Sequence, residues 1–188
     1  MKFGVTIPTS LIDPKAASPY AKVYDYLREV EDLGYEFAAV GHHRFNPELA
    51  FGEPSAPFVT FAALLARTSR LKMVSSIVLV ATYHPLEVAE QVNTLAELSG
   101  GRFILGSGMG YRAYEFEAVG LDFSQRVSRY GEALQVIERA LEGQPFSFTG
   151  KHFNFTDVQV TPQPYGGRRT PIWLGASQPP GIKRAATR

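Results

Sequence analysis

The 188-residue sequence has no cysteine, which excludes a disulfide framework and thiolate metal sites. An excess of charge of one sign is also missing: 19 Lys and Arg stand against 18 Asp and Glu, for a net charge of +1. Nucleic-acid binding normally shows as a basic excess or patch, so no nucleic-acid partner is expected. No apolar run reaches membrane-spanning length, and MKFGVTIP leads straight into a strand-like segment without the apolar core of a signal peptide. The expectations are a cytoplasmic location and no membrane partner. A GK[ST] phosphate loop is absent throughout. Of four histidines, two are adjacent, His42 and His43. Neighbours on an extended chain point to opposite faces, so this pair is poorly arranged to share an ion, and no metal site is expected.

What is present reads as one globular domain over residues 1–188, with 45% hydrophobic residues supplying a core. Phe3 to Ile7 reads as a buried strand. Ser18-Pro19 offers a helix start, Tyr20, Val23, Tyr24, Leu27, Val30 and Leu33 follow at helical spacing, and Gly34 sits at the stop. A strand over Phe37 to Val40, a helix from Pro57 to Ser69 and a long apolar strand from Leu71 to Val80 come next. Pro85 opens a third helix that Gly100-Gly101 ends, and Phe103 to Leu105 is a strand running into GSGMG. Ser124 is placed as the N-cap of a long helix ended by Gly143, with Asp122, Arg126 and Arg129 as a surface charge group at its start. FSFTGKHFNF suggests an inserted hairpin, Pro171 to Leu174 a fifth core strand, and a final helix is expected from about Ile182.

Strand–helix alternation implies βα units on a parallel sheet, either an open doubly wound sheet or a (β/α)8 barrel. The polar and glycine-rich residues gather after the strands, at the rim where barrel enzymes keep their chemistry. The dinucleotide fingerprint of the open sheet is not met: GSGMGY carries Tyr111 where a third glycine would stand, and it follows the fourth strand rather than the first. The fold class is therefore α/β, of the (β/α)8 barrel type. A full barrel takes about 250 residues, so this chain is expected to hold only an N-terminal part, about five βα units.

Three segments, GHHRF, YHPLEVAEQVNTLAELSGGRFILGSGMGYRAYEFEAVG and PIWLGAS, carry a resemblance to the luciferase-like monooxygenases. This flavin- or deazaflavin-dependent family is built on a (β/α)8 barrel. The resemblance implies that His42 matches the histidine associated with catalysis, with Gly41 where an acidic residue is common. His43 and Tyr111 are substrate-side candidates, and Glu115 is a rim candidate. Ser75 and Ser76 occupy the position of a non-prolyl cis bond that supports the flavin, which puts a cis bond at Ser75-Ser76. Gly106 and Gly108 let a ligand approach the backbone closely. Gly175, Ala176 and Ser177 match the turn that receives the cofactor phosphate, a setting consistent with anion binding at a helix start. Met109 replaces a basic residue of the luciferase-type members.

The activity so implied is a flavin-dependent oxidoreductase, a monooxygenase using FMN, reduced by a partner flavin reductase, and O2 on a small organic substrate. Two alternatives stay open. One keeps the fold and uses a deazaflavin for hydride transfer. The other is a non-catalytic barrel fragment that dimerises to cover its exposed sheet edge. A homodimer is the expected assembly, and the substrate is not legible.

Overall fold

The computed structural model describes residues 2–45 and 56–187. Strands β1 (Gly4–Thr6), β2 (Phe37–Val40), β3 (Lys72–Ser75), β4 (Val78–Leu79) and β5 (Phe103–Gly108) alternate with helices α1 (Ala21–Asp32), α2 (Pro57–Leu65) and α3 (Pro85–Ser99). A short α4 (Ala113–Glu117) and the long α5 (Arg126–Ala140) precede a hairpin, β6 (Phe146–Thr149) with β7 (Asn154–Val158). The chain then reaches β8 (Ile172–Leu174) and α6 (Pro179–Ala186).

All pairings in the main sheet are parallel. Its order is β1-β2-β3-β5-β4, with β8 on β5. The long β5 pairs with β3 along its first half and with β4 along its second, while its other edge takes β8. Counting β3 and β4 as one interrupted strand, neighbours in the sheet are successive in sequence, with no reversal of order. An open doubly wound sheet reverses at its switch point. This sheet does not, and it is the arc of an incomplete (β/α)8 barrel.

One face of the arc is packed and the other is open. Ala38 and Val40 are buried under the helices at 0% and 2% exposure, with Leu27, Phe61, Val88 and Leu134 beside them in the core. The alternate residues Phe37 and Ala39, with Val5 and Trp173, line a depression of about 490 Å3 on the opposite face. Trp173 is 48% exposed there. Among the described residues, no helix is long and apolar enough to cross a membrane.

Helix ends follow local chemistry. Pro85 opens α3, and Gly100 closes it in a left-handed conformation at φ 67°. The helix expected from Ser18-Pro19 begins instead at Ala21. At the start of α5, Asp122 rather than Ser124 is the capping side chain, accepting the Ser124 N–H at 2.8 Å above a single 3-10 turn. The helix expected from Ile182 begins at Pro179. The strand read as continuous from Leu71 to Val80 is broken, for a reason that belongs to the site.

Candidate functional site

At the carboxyl end of β3 the ladder is interrupted by a side chain. Ser75 is fully buried; its Oγ donates to the Gly106 carbonyl at 2.9 Å and accepts the Gly106 N–H at 2.8 Å. One hydroxyl thus takes both ladder positions that a backbone partner would fill. The chain steps out of the sheet beyond it, with a cis peptide at Ser76-Ile77, and rejoins as β4. This corrects the expectation of a cis bond at Ser75-Ser76. Because Ser75 stays in register as the hydrogen-bonding residue, the irregular bond falls one position later.

Two glycines of β5 make room for this step. A Cβ at Gly106 would lie 1.7 Å from the Ser75 carbonyl oxygen, and one at Gly108 would lie 1.5 Å from Ile77 Cδ1. Gly175, after β8, also faces Ile77, with a built Cβ 3.0 Å from Cγ2. The Ile77 side chain therefore stands over Gly108 and Gly175. It forms part of the wall of a rim cavity of about 690 Å3, together with Met109, Tyr111, Arg126, Tyr130 and the turn of Gly175, Ala176 and Ser177. Small-molecule sites commonly have volumes of about 300–1,000 Å3.

The expected residues divide around this cavity. Gly175, Ala176, Ser177 and Tyr111 line it. Ser75, Gly106 and Gly108 are buried in the strands behind its wall, and Ser76 is exposed at the bulge. The cation supply differs from the surface group read in the sequence. Arg126 lines the cavity, with its guanidinium 4.0 Å from the Phe123 ring centre, and Arg184 lines it from α6. Arg129 points elsewhere, donating to the Ala81 carbonyl at 2.8 Å and lying over Phe153. Burial lowers the Arg129 pKa from its ordinary value, against the opposing pull of Glu132.

The helix-start argument for anion binding also changes. The first two residues of α6 are Pro179 and Pro180, which have no N–H to offer. Positive charge at this end of the cavity comes from Arg126 and Arg184 instead.

Beside the cavity, the loop after β2 meets the loop after β5. His42 is the more enclosed of the paired histidines, 3% exposed, with its ring 6.4 Å from that of Tyr83. His43 stands edge-on to Tyr111, at 5.8 Å between ring centres. Its Nδ1 is 3.2 Å from Glu115 Oε1, which also accepts the Arg44 N–H at 2.8 Å. The Arg44 guanidinium donates to the Thr82 carbonyl at 2.8 Å and to Thr82 Oγ1 at 3.0 Å, and lies 4.4 Å from the Tyr83 ring centre. Burial pushes the Tyr83 hydroxyl above its ordinary value of 10.0; the Arg44 charge works against this and Glu115 adds to it.

Sequence reasoning left Glu115 as a rim residue without a partner and read no α4. The available signal was Glu115-Phe116 ahead of Gly120, a short amphipathic turn with one acid on its buried side. Nothing local in the sequence joins it to His43, 72 positions away.

A parallel barrel arc with a ligand-sized cavity at the carboxyl ends of its strands defines an enzyme-type α/β protein. The chain belongs to the luciferase-like monooxygenase family, whose profile matches residues 1–188. It is similar to the monooxygenase RslO1 from Streptomyces bottropensis, with a TM-score of 0.83 and 26% identity over 99% of this chain and 56% of that one. It is also similar to the coenzyme F420-dependent tetrahydromethanopterin reductase from Methanopyrus kandleri, with a TM-score of 0.72 and 25% identity over 98% of this chain and 52% of that one. The FMN complex of the oxygenating constituent of 3,6-diketocamphane monooxygenase from Pseudomonas putida shares the fold, with a TM-score of 0.76 and 18% identity over 93% of this chain and 51% of that one. The chain spans about half the length of the curated relatives it matches.

Proposed function

We propose that this chain forms the cofactor-holding part of a flavin-dependent monooxygenase that uses reduced FMN and O2 on a small organic substrate, with a separate flavin reductase as partner. The observation that carries the reading is the rim cavity of about 690 Å3, bounded by Ile77, the end of β5 and the Gly175–Ser177 turn. Its parts suit the group. Glycines at 106, 108 and 175 give the Ser75–Ile77 step its space, so that the apolar Ile77 side chain stands in the cavity wall. Ser177, Arg126 and Arg184 supply a hydroxyl and two cations to hold a phosphate. When bound, the flavin supplies the redox chemistry, and the protein orients it and excludes water. His42 and His43 sit at the adjoining loop, and proton handling is assigned to this pair.

A second reading is favoured by Met109. An uncharged side chain lines the cavity where luciferase-type relatives carry a cation, and one similar protein is F420-dependent. The alternative is hydride transfer with a deazaflavin of the same binding mode. The third reading, a dimerising fragment, draws on the open face around Trp173.

Titrating the purified chain with FMN, riboflavin and a deazaflavin, followed by difference spectra, separates these. The monooxygenase reading expects FMN binding that weakens at least tenfold in Arg126→Ala and Arg184→Ala, with riboflavin affinity unchanged. Deazaflavin binding without FMN binding supports the second reading. No affinity for any of the three, with a dimer by sedimentation, supports the fragment.

A further inference from the structure

We propose that Glu115 is a positioning residue that fixes His43 in the tautomer with its proton on Nδ1, making Nε2 the atom through which His43 takes up a proton. The inference rests on the proposed assignment of proton handling to the paired histidines and selects one of them. It starts from the carboxylate. The Glu115 side chain has no solvent exposure, whereas the His43 side chain keeps 16%. Among the described residues, Glu115 Oε2 has no hydrogen-bond partner, so Oε1 carries the whole load.

The load on Oε1 decides the proton's position. The Arg44 N–H is a fixed donor, and it occupies one lone pair at 2.8 Å. The remaining lone pair faces His43 Nδ1 at 3.2 Å. A contact between two acceptors there would leave a buried carboxylate oxygen against an imidazole lone pair, which costs more than the bond gains. With the Glu115 carboxyl ionised, Nδ1 is the donor. In the neutral ring the other nitrogen is then the acceptor, because one imidazole nitrogen carries the hydrogen and the other does not. Carboxylates orient metal-bound and catalytic imidazoles by the same accounting.

The contrast with His42 supports the choice. His42 is nearly enclosed and tilted against Tyr83. His43 touches Tyr111, which lines the cavity, and so stands one side chain from the ligand space. Among the described residues, the charged and titratable groups around His43 include Glu115 from α4, Tyr111 with Arg112 over its ring from the loop after β5, and His42 and Arg44 from its own loop with Tyr83 beneath. Since Glu115 holds both the His43 ring and the Arg44 backbone, one side chain sets the loop's path and the tautomer together.

The test is a long-range proton–nitrogen correlation spectrum of the 15N-labelled chain at about pH 8.5, where an ordinary imidazole is neutral. His43→Asn identifies the signals by their loss. The expected result is a protonated-type Nδ1 and an unprotonated-type Nε2 at His43; the opposite pattern overturns the proposal. Glu115→Gln keeps an acceptor oxygen and should keep the pattern. Glu115→Val should lose it, giving a mixture of tautomers; an unchanged pattern in a folded Glu115→Val chain also overturns the proposal. If that variant does not fold, the unsubstituted and Gln chains still decide. Adding FMN should then move the His43 signals and leave those of His152, on the hairpin, in place. FMN binding without movement at His43 removes it from the site, whereas absent FMN binding counts against the proposed function and leaves the tautomer result standing.

Discussion

Two carboxylates are buried at opposite ends of the same sheet, and they are treated differently. At the base, Glu31 of α1 caps the entry to β3. Its Oε1 accepts N–H groups from Ser69 at 3.0 Å, from Arg70, and from Leu71 at 2.6 Å, while Oε2 shares the Ser69 N–H at 3.0 Å. Burial alone would raise this carboxyl, but those donors and the Arg70 charge outweigh it and hold Glu31 below its ordinary value of 4.5. At the rim, Glu115 has one oxygen doubly loaded and the other without a hydrogen-bond partner among the described residues. The base carboxylate brings both of its oxygens into use. A group left half-used in a buried position is what functional sites tolerate. The base acid ties backbone to backbone, whereas the rim acid ties backbone to an imidazole.

The largest effect expected from this contrast is at the base. Glu31→Ala leaves the N–H groups of Ser69, Arg70 and Leu71 without their acceptor. At roughly 1–3 kcal/mol for a stranded buried donor, with solvent reaching some of them, the loss should be about 3 kcal/mol. Urea or thermal unfolding of the variant against the unsubstituted chain reads it directly. A loss below about 1 kcal/mol would mean that water replaces the carboxylate and that the base is no better stapled than the rim.

Next in size is Ser75→Ala, which strips both Gly106 backbone groups of their partner inside the sheet. The expected cost is about 2 kcal/mol. Under the proposed function, flavin affinity should fall with it, because the step carrying Ile77 into the cavity wall begins at this residue. Ser75→Thr keeps the hydroxyl and separates the hydrogen bonds from the packing around them.

The sequence foretold local features better than long-range ones, and the reasons are physical. The α3 bounds follow from Pro85 and Gly100, which act within one helical turn and leave their mark in adjacent residues. β2 is read from four consecutive residues, FAAV, with the two helix-facing positions Ala38 and Val40 alternating with the open ones. Rim features are long-range. The Ser75 bond to Gly106 spans 31 positions and the Glu115 bond to Arg44 spans 71, so neither leaves a periodic trace. The serines were read correctly as an irregular place in the strand, yet which bond became irregular depended on register with β5. Arg126 looked like one more surface charge, because the cavity it lines is closed by the Gly175–Ser177 turn and α6, about fifty positions away. The two prolines that open α6 were visible throughout, and their missing N–H groups count against a helix-dipole phosphate site.

A third prediction uses acid. Since the folded Glu31 carboxyl titrates below 4.5, its contribution to stability is complete above that pH and is lost as pH falls through the lower folded value. Unfolding free energy measured from pH 7 downward should decline in that window, and Glu31→Gln should flatten the decline. A Glu31→Gln curve parallel to the parent would assign the acid sensitivity to other carboxylates.

The smallest effect on stability, and the sharpest on the comparison, is expected from Glu115→Gln. The amide oxygen can still accept from Arg44 N–H and from His43 Nδ1, so the change should amount to under about 1 kcal/mol, and its sign is informative. Replacing a buried charge by a neutral isostere removes a desolvation cost as well as an attraction, and the two nearly cancel where pairing is incomplete. Glu31→Gln has less compensation, because both oxygens accept N–H groups and an amide nitrogen in place of either would face a backbone donor. A loss at Glu115→Gln as large as at Glu31→Gln would therefore make both acids structural staples. A neutral or slightly stabilised chain would mark Glu115 as adding little to the fold beyond the two bonds that a Gln oxygen also accepts, from Arg44 N–H and His43 Nδ1.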